Sequence, residues 1–196
     1  MSHALLVALA LAGPGTAQQQ PAPQPRIVVE LRIFNGATEV TSSTRVTLHR
    51  AGERTAPVAQ IGPREGRIEI DVPAGIYDAQ AILEREGRVI SIRWAERLVV
   101  MPYPDEAGRH LEVVNFQNGY GALQLRWKES DAPAEAVVYA AGMRDTEAGV
   151  RLAGPGYALF VLPAGRYDVQ TRTGDRPAWH TGIEVPLNRT RLWIVP

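Results

Sequence analysis

The stretch VPAGIYDAQ runs from Val72 to Gln80, and LPAGRYDVQ runs from Leu162 to Gln170, so one phrase is written twice, ninety positions apart. Each word in it has a mechanical reading. Proline closes a strand because it cannot donate to a ladder. Glycine, which tolerates positive φ, turns a corner between sheets. Tyrosine then opens the next strand, where its ring enters a core and its hydroxyl reaches back to the corner. Pro73, Gly75 and Tyr77, with Pro163, Gly165 and Tyr167, are therefore expected to be structural corner residues without a catalytic role.

The repetition extends outward. At the same offset Gly52 and Arg54 meet Gly142 and Arg144, and Gly66 meets Gly156. Near the start the register slips by four, so that ELRIF at Glu30 to Phe34 matches QLRWK at Gln124 to Lys128. A small loop deletion in the second copy accounts for the slip. Two copies are too few for a solenoid and indicate a tandem duplication. The boundary is expected near Gln117-Asn118-Gly119, dividing the chain into residues 26–117 and 118–196.

Both copies alternate with period two, the mark of strands with one wet face. Ile68, Ile70 and Val72 alternate with Arg67, Glu69 and Asp71, and Val46 and Leu48 with Arg45, Thr47 and His49. Tyr77, Ala79, Ala81 and Leu83 share a face. Ile90, Ile92 and Trp94 form another expected inward row, as do Leu123, Leu125 and Trp127. Turn residues such as Ala51-Gly52, Gly62-Pro63 and Arg85-Glu86-Gly87 separate these runs, and no stretch of a dozen residues keeps a helical period. Regularly spaced short strands with frequent turns imply an all-β fold, an antiparallel sandwich or barrel in each copy, and the corner phrase favours two tandem antiparallel β-sandwiches.

Composition limits function. The 196 residues carry 21 basic and 21 acidic side chains, so the chain lacks the field that attracts nucleic acid or an anionic membrane. All the basic residues are arginine except Lys128, a bias pointing to a GC-rich bacterial genome. There is no cysteine, which removes disulfides, thiolate nucleophiles and cysteine-based zinc sites. Residues 1–17 are expected to be a signal peptide, with an apolar run from Ala4 to Ala12, a Gly13-Pro14 break and small residues at Gly15-Thr16-Ala17. The apolar run is too short to span a bilayer. Residues 18–25 then form a flexible leader rich in proline and glutamine. The mature protein is expected to be periplasmic or extracellular, with no membrane span.

A strand, a P-A-G-x-Y corner and two hairpin strands, together with HTGIEVPLNRTRLWIV at His180 to Val195, resemble carboxypeptidase-regulatory-like, transthyretin-like and collagen-adhesin B-type repeats. The resemblance covers most of each copy. It implies Greek-key sandwiches of the prealbumin or immunoglobulin type, with the repeated phrase similar to a tyrosine corner. It also implies non-catalytic modules of exported and cell-surface proteins. Collagen-adhesin B-type domains often join a first-strand lysine to a last-strand asparagine, here Lys128 and Asn188. Alternation places Lys128 toward solvent, where its amine stays charged and unreactive.

Catalytic and cofactor motifs are not found. None of the serines sits in a G-x-S-x-G elbow. AGPGY at Ala153 to Tyr157 lacks the Gly-Lys-Ser/Thr of a phosphate loop. His110 with Glu112, and His180 with Glu184, are near pairs that fall short of the three or four ligands zinc needs. They are expected on a wet sheet face, as are Asp78 and Gln80 with their repeats Asp168 and Gln170. No enzyme, metal or cofactor is expected. The candidate partner surface is the face of the last strand that carries Arg189, Arg191 and Trp193, with Trp179 and His180 beside it. An exported scaffold or protein-binding module is the leading expectation; a carbohydrate-binding or adhesion module, with Trp179, His180 and Trp193 as a stacking platform, is the alternative. Amino-terminal sequencing of the exported protein is expected to begin at Gln18.

Overall fold

The computed structural model describes residues 25–63, 67–101, 109–127, 134–154, 156–173 and 176–196. The signal peptide, nearly all of the leader, Gly66 and Lys128 lie outside the described residues. The described residues form four β-sheets and one 3-10 turn at Thr41–Ser43.

Sheet I is built on β1 (Arg26–Asn35), flanked by β2 (Thr38–Glu39) and β5 (Ile68–Pro73) antiparallel and by β8 (Arg109–Asn115) parallel. Sheet II has the order β4 (Pro57–Ile61), β3 (Thr44–Arg50), β6 (Gly75–Arg85), β7 (Arg88–Val100). The second half repeats the plan. Sheet III runs β11 (Val150–Gly154), β12 (Tyr157–Pro163), β9 (Tyr120–Trp127), β15 (Thr190–Val195), and β15 is parallel to β9. Sheet IV runs β10 (Ala134–Ala140), β13 (Gly165–Thr173), β14 (Arg176–Val185). The slip at the start of the copies is present in the ladders, since Glu30 pairs with Glu69 and Gln124 with Leu159. One strand changes sides between halves: β4 joins sheet II through β3, whereas β11 joins sheet III through β12.

Alternating apolar residues close a core in each half. Ile27, Val29, Leu31 and Ile33 of β1 meet Val46, Leu48, Tyr77, Ala79 and Ala81 across the first cluster. Leu123 and Leu125 of β9 meet Val138, Tyr167, Val169 and Ile183 across the second. A third cluster joins the halves. Phe34, Leu111 and Val113 on the outer face of sheet I pack against Ala122, Leu159 and Val161 on the outer face of sheet III. The sheets thus stack in four layers, II–I–III–IV. The expected wet face of β9 is accordingly dry, and every residue from Gly121 to Arg126 is buried.

At each corner the tyrosine hydroxyl donates to the proline carbonyl four residues back, Tyr77 to Pro73 at 2.7 Å and Tyr167 to Pro163 at 2.7 Å. Burial raises both phenol pKa values. Gly75 and Gly165 work differently from expectation, because neither takes positive φ. The tyrosine ring two residues on lies over each glycine, and a Cβ would meet it at 3.4 Å at Gly75 and 3.7 Å at Gly165, ordinary van der Waals distances. The middle alanine of each corner is tied to the segment entering its half: Ala74 donates to the Pro25 carbonyl and Ala164 to that of Gly119.

The row Ile90, Ile92, Trp94 does not point inward. Ladder pairing sets the phase: Arg93 lies opposite Ala81 and Ser91 opposite Leu83, so the intervening Ile92 and Trp94 take the outer face. Only Ala95, Leu98 and Val100 of β7 enter the core, and Ile90 and Ile92 are 57% and 54% exposed.

Tyr77→Phe and Tyr167→Phe are each expected to lower stability by about 1 kcal/mol, the net worth of one hydrogen bond, measured by denaturant unfolding. Gly182 has φ +68° with open space around its Cβ position, so Gly182→Ala is expected to cost roughly 1–2 kcal/mol from backbone strain alone.

Candidate partner-binding surface

Of the five residues expected to form one surface, the structure brings Arg191, Trp193 and His180 together, with the His180 and Trp193 ring centroids 6.4 Å apart and their planes tilted by 59°, and places Arg189 and Trp179 elsewhere. Trp193 packs against the second cluster, because the face it shares with Arg191 and Val195 is the one that Leu123 and Leu125 occupy on β9. The Arg191 guanidinium lies 5.7 Å from the Trp193 ring centroid and donates to the Glu184 carbonyl at 3.3 Å. Arg189 turns to the other half and donates to the Glu96 carbonyl at 2.6 Å. His180 bonds the Thr171 hydroxyl at 3.0 Å and leaves Glu184 exposed. Trp179 stands on the outer face of sheet IV. No coplanar aromatic platform forms from Trp179, His180 and Trp193.

Other expected wet-face residues are buried. His110 and Glu112 lie 3.3 Å apart and are 7% and 6% exposed. They pair across from Val29 and Leu31 and so take the inward phase of sheet I, and Glu112 also accepts from the Thr190 amide of the second half. Among the described residues no group of three or more histidine or carboxylate side chains could hold a metal.

Asp78 and Asp168 are likewise buried, each beside a β-bulge where the ladder shifts register. A bulge leaves an amide without a ladder partner, and each aspartate accepts that amide together with one from the loop after β3 or β10. Asp78 takes the Gly52 amide at 3.2 Å and the Arg97 amide at 2.8 Å; Asp168 takes Gly142 at 3.3 Å and Gly182 at 3.0 Å. Arg54 and Arg144 approach these carboxylates at 3.7 Å and 3.5 Å. Each arginine also covers a tryptophan ring at 4.2 Å, Trp94 and Trp179 respectively. A second ring leans on each tryptophan, His49 at 5.6 Å and Tyr139 at 5.5 Å. The outer faces of sheets II and IV therefore carry equivalent clusters of six residues. Each staples the loop after β3 or β10 to its sheet. Half of each was visible in the aligned Gly52/Arg54 and Asp78 repeats. The tryptophans were missed because the intervening hairpin is shorter in the second copy, although both stand three residues before the bulge position, Arg97 or Gly182.

The halves differ in the hairpin that edges the outer sheet. The β6–β7 hairpin carries Val89, Ile90 and Ile92 at 55%, 57% and 54% exposure. Ile92 pairs with Ile82, and Glu84 pairs with Val89, so these apolar side chains share one outward face. Exposed Arg85 and Arg88 stand at the tip. In the second half the ladder position of Ile92 belongs to Pro177, opposite Arg172, and a proline blunts a sheet edge. Clefts line the junction between halves. One of about 310 Å³ is bordered by Glu30, Arg67, Arg109, Arg126 and Tyr157, with the Tyr157 hydroxyl donating to Glu30 at 3.1 Å. Another, of about 300 Å³, lies between Trp94 and Leu187.

No family model matches the chain, and no curated protein matches it. Among solved structures it is similar to the Bacillus anthracis TIE protein, at 18% identity and a TM-score of 0.35, over 87% of this chain and 34% of that one. It is similar to a leucine-rich repeat protein from Bacteroides thetaiotaomicron at 13% identity and TM-score 0.34, over 88% and 26%. The chain thus spans well under half the length of both. It is also similar to the tip fimbrial protein Mfa3 from Porphyromonas gingivalis at 9% identity and TM-score 0.35, over 87% and 94%. Likenesses this distant leave the functional reading to the geometry.

The aspartate clusters carry a pH dependence. At Asp78 burial opposes ionisation, but the Arg97 and Gly52 amides and the Arg54 guanidinium outweigh it and hold the pKa below the ordinary value. At Asp168 the Gly182 amide is the main cause of a shift in the same direction, and burial opposes it. A folded value below the unfolded one stabilises the fold fully above the unfolded pKa of about 3.9, and that contribution is lost as pH falls through the depressed folded value. Unfolding free energy is expected to fall with acidification below that point, and the Asp78→Asn, Asp168→Asn double variant is expected to show a shallower slope in the same window.

Proposed function

We propose that the protein is an exported, non-catalytic module of two β-sandwich units, residues 26–117 and 118–196, that binds another protein or scaffolds an envelope complex. The observation that carries this is the β6–β7 hairpin, whose Val89, Ile90 and Ile92 are each more than half exposed. Three neighbouring apolar side chains held open on a hairpin, with arginines at the tip, have the composition of a protein-binding surface. The second half serves as the contrast: it has the same ladder and the same Trp–Arg–Asp staple, but a shorter hairpin and Pro177 in place of Ile92. A carbohydrate-binding or adhesion role has less support, since guanidinium groups already cover the Trp94 and Trp179 rings that a sugar would stack on.

A photo-crosslinking residue at Ile92, in the exported protein in its own cells, is expected to give a discrete protein adduct. The same probe at Asp71, exposed on sheet I, is expected to give none. An Ile92 probe that yields no adduct, or no more than the Asp71 probe, would overturn the proposal.

A further inference from the structure

The dipeptide Asn-Gly occurs twice, at Asn35-Gly36 and Asn118-Gly119. It is the dipeptide in which a backbone amide most readily attacks the preceding side chain, because glycine offers no Cβ to obstruct the approach. The structure treats the two copies differently. The Gly36 amide donates to Asn115 Oδ1 at 2.9 Å and its carbonyl accepts from Asn115 Nδ2 at 2.8 Å, while the Gln117 side chain crowds its Cβ position. That nitrogen is occupied and its peptide is locked.

Asn118-Gly119 lies in the connection between β8 and β9. Both residues are exposed, Gly119 has φ +90°, and nothing lies within 4 Å of its Cβ position. No acceptor among the described residues takes the Gly119 amide. In addition, Arg93 Nη1 donates to Asn118 Oδ1 at 2.8 Å. A cation bonded to the side-chain carbonyl withdraws electrons from Cγ and stabilises the negative charge that forms on Oδ1 when a nucleophile adds.

We infer that Asn118 is a self-modification site, deamidating through a succinimide with Arg93 as the activating group. The Gly119 nitrogen gives its proton to solvent base and bonds to Asn118 Cγ. The bond from Cγ to the side-chain nitrogen breaks, and that nitrogen leaves as ammonia with a proton from water. A water molecule then opens the ring at either carbonyl to give aspartate or isoaspartate; no oxidant or cofactor enters. The two products act oppositely on the junction. Arg93 also donates to Asn188 Oδ1 at 2.7 Å, clamping the connection to the turn before β15. Aspartate gives that clamp a charged partner. Isoaspartate adds a backbone carbon next to Gly119, whose carbonyl holds Ala164 in the second corner at 2.7 Å.

The folded protein would be incubated at mildly alkaline pH, digested and analysed by mass spectrometry, with denatured protein as reference. In the folded sample the Asn118 peptide is expected to gain about 1 Da, the replacement of an amide by an acid, while the Asn35 peptide stays unchanged. In the denatured sample both react. Arg93→Gln, checked for a native circular dichroism spectrum, is expected to slow the Asn118 reaction severalfold, and Asn118→Gln to abolish it. An Asn118 that persists in folded protein while both sites react when denatured would overturn the proposal. So would an Asn35 that reacts as fast as Asn118 in the fold, and an unchanged rate in Arg93→Gln would overturn the role of the arginine.

Discussion

The contact between the outer faces of sheets I and III is the constraint on which the rest of the structure depends. A sandwich strand normally has one face to hide, yet β1 and β9 must hide two. Phe34, Leu111, Val113, Leu159 and Val161 supply the apolar part of this middle layer. Burying side chains of this size contributes roughly 1.5–3 kcal/mol each. Glu30 and Arg126 lie in the same layer and bring a cost of burial that their local partners offset. Because the central strands are shared between the cores and the junction, neither half can shift much without disturbing its own core.

Against this fixed middle, the outer sheets have diverged. Both carry the Asp–Arg–Trp staple with the same distances within a few tenths of an ångström, so the loops of the two halves are fastened in the same way. The bulge position shows how each copy solves one problem with different residues. The second half has Gly182 at positive φ, whereas the first forces Arg97 to φ +55°. The first half accepts that strain on a strand whose hairpin also holds isoleucines in water. Strain and exposed apolar surface on the same element set it apart from the scaffold.

The all-β class, the corners and the register slip were legible because each leaves a local mark: period two, a proline-glycine-tyrosine phrase, a displaced match. The phase of an alternating row was not. Ile90, Ile92 and Trp94 alternate as clearly as Ile68, Ile70 and Val72, and only the pairing with β6, with its bulges, decides which way they point. Trp193 and His110 failed for a related reason: sequence shows that two faces differ, while the identity of the wet one depends on what another sheet covers. The equivalence of Trp94 and Trp179 was hidden by a change in hairpin length, which breaks a fixed offset without breaking the geometry.

The parallel pairing of β1 with β8 and of β9 with β15 has a mechanical consequence. In each half the first and last strands are neighbours, joined by seven rungs from Val28–Arg109 to Phe34–Asn115 in one case and six from Thr190–Ala122 to Val195–Trp127 in the other. Tension on the ends of such a half pulls the two strands along their shared axis in opposite directions. All rungs are then loaded in shear together, instead of opening one at a time as in a hairpin pulled from its ends. The chain is built so that force transmitted through it meets its strongest geometry first.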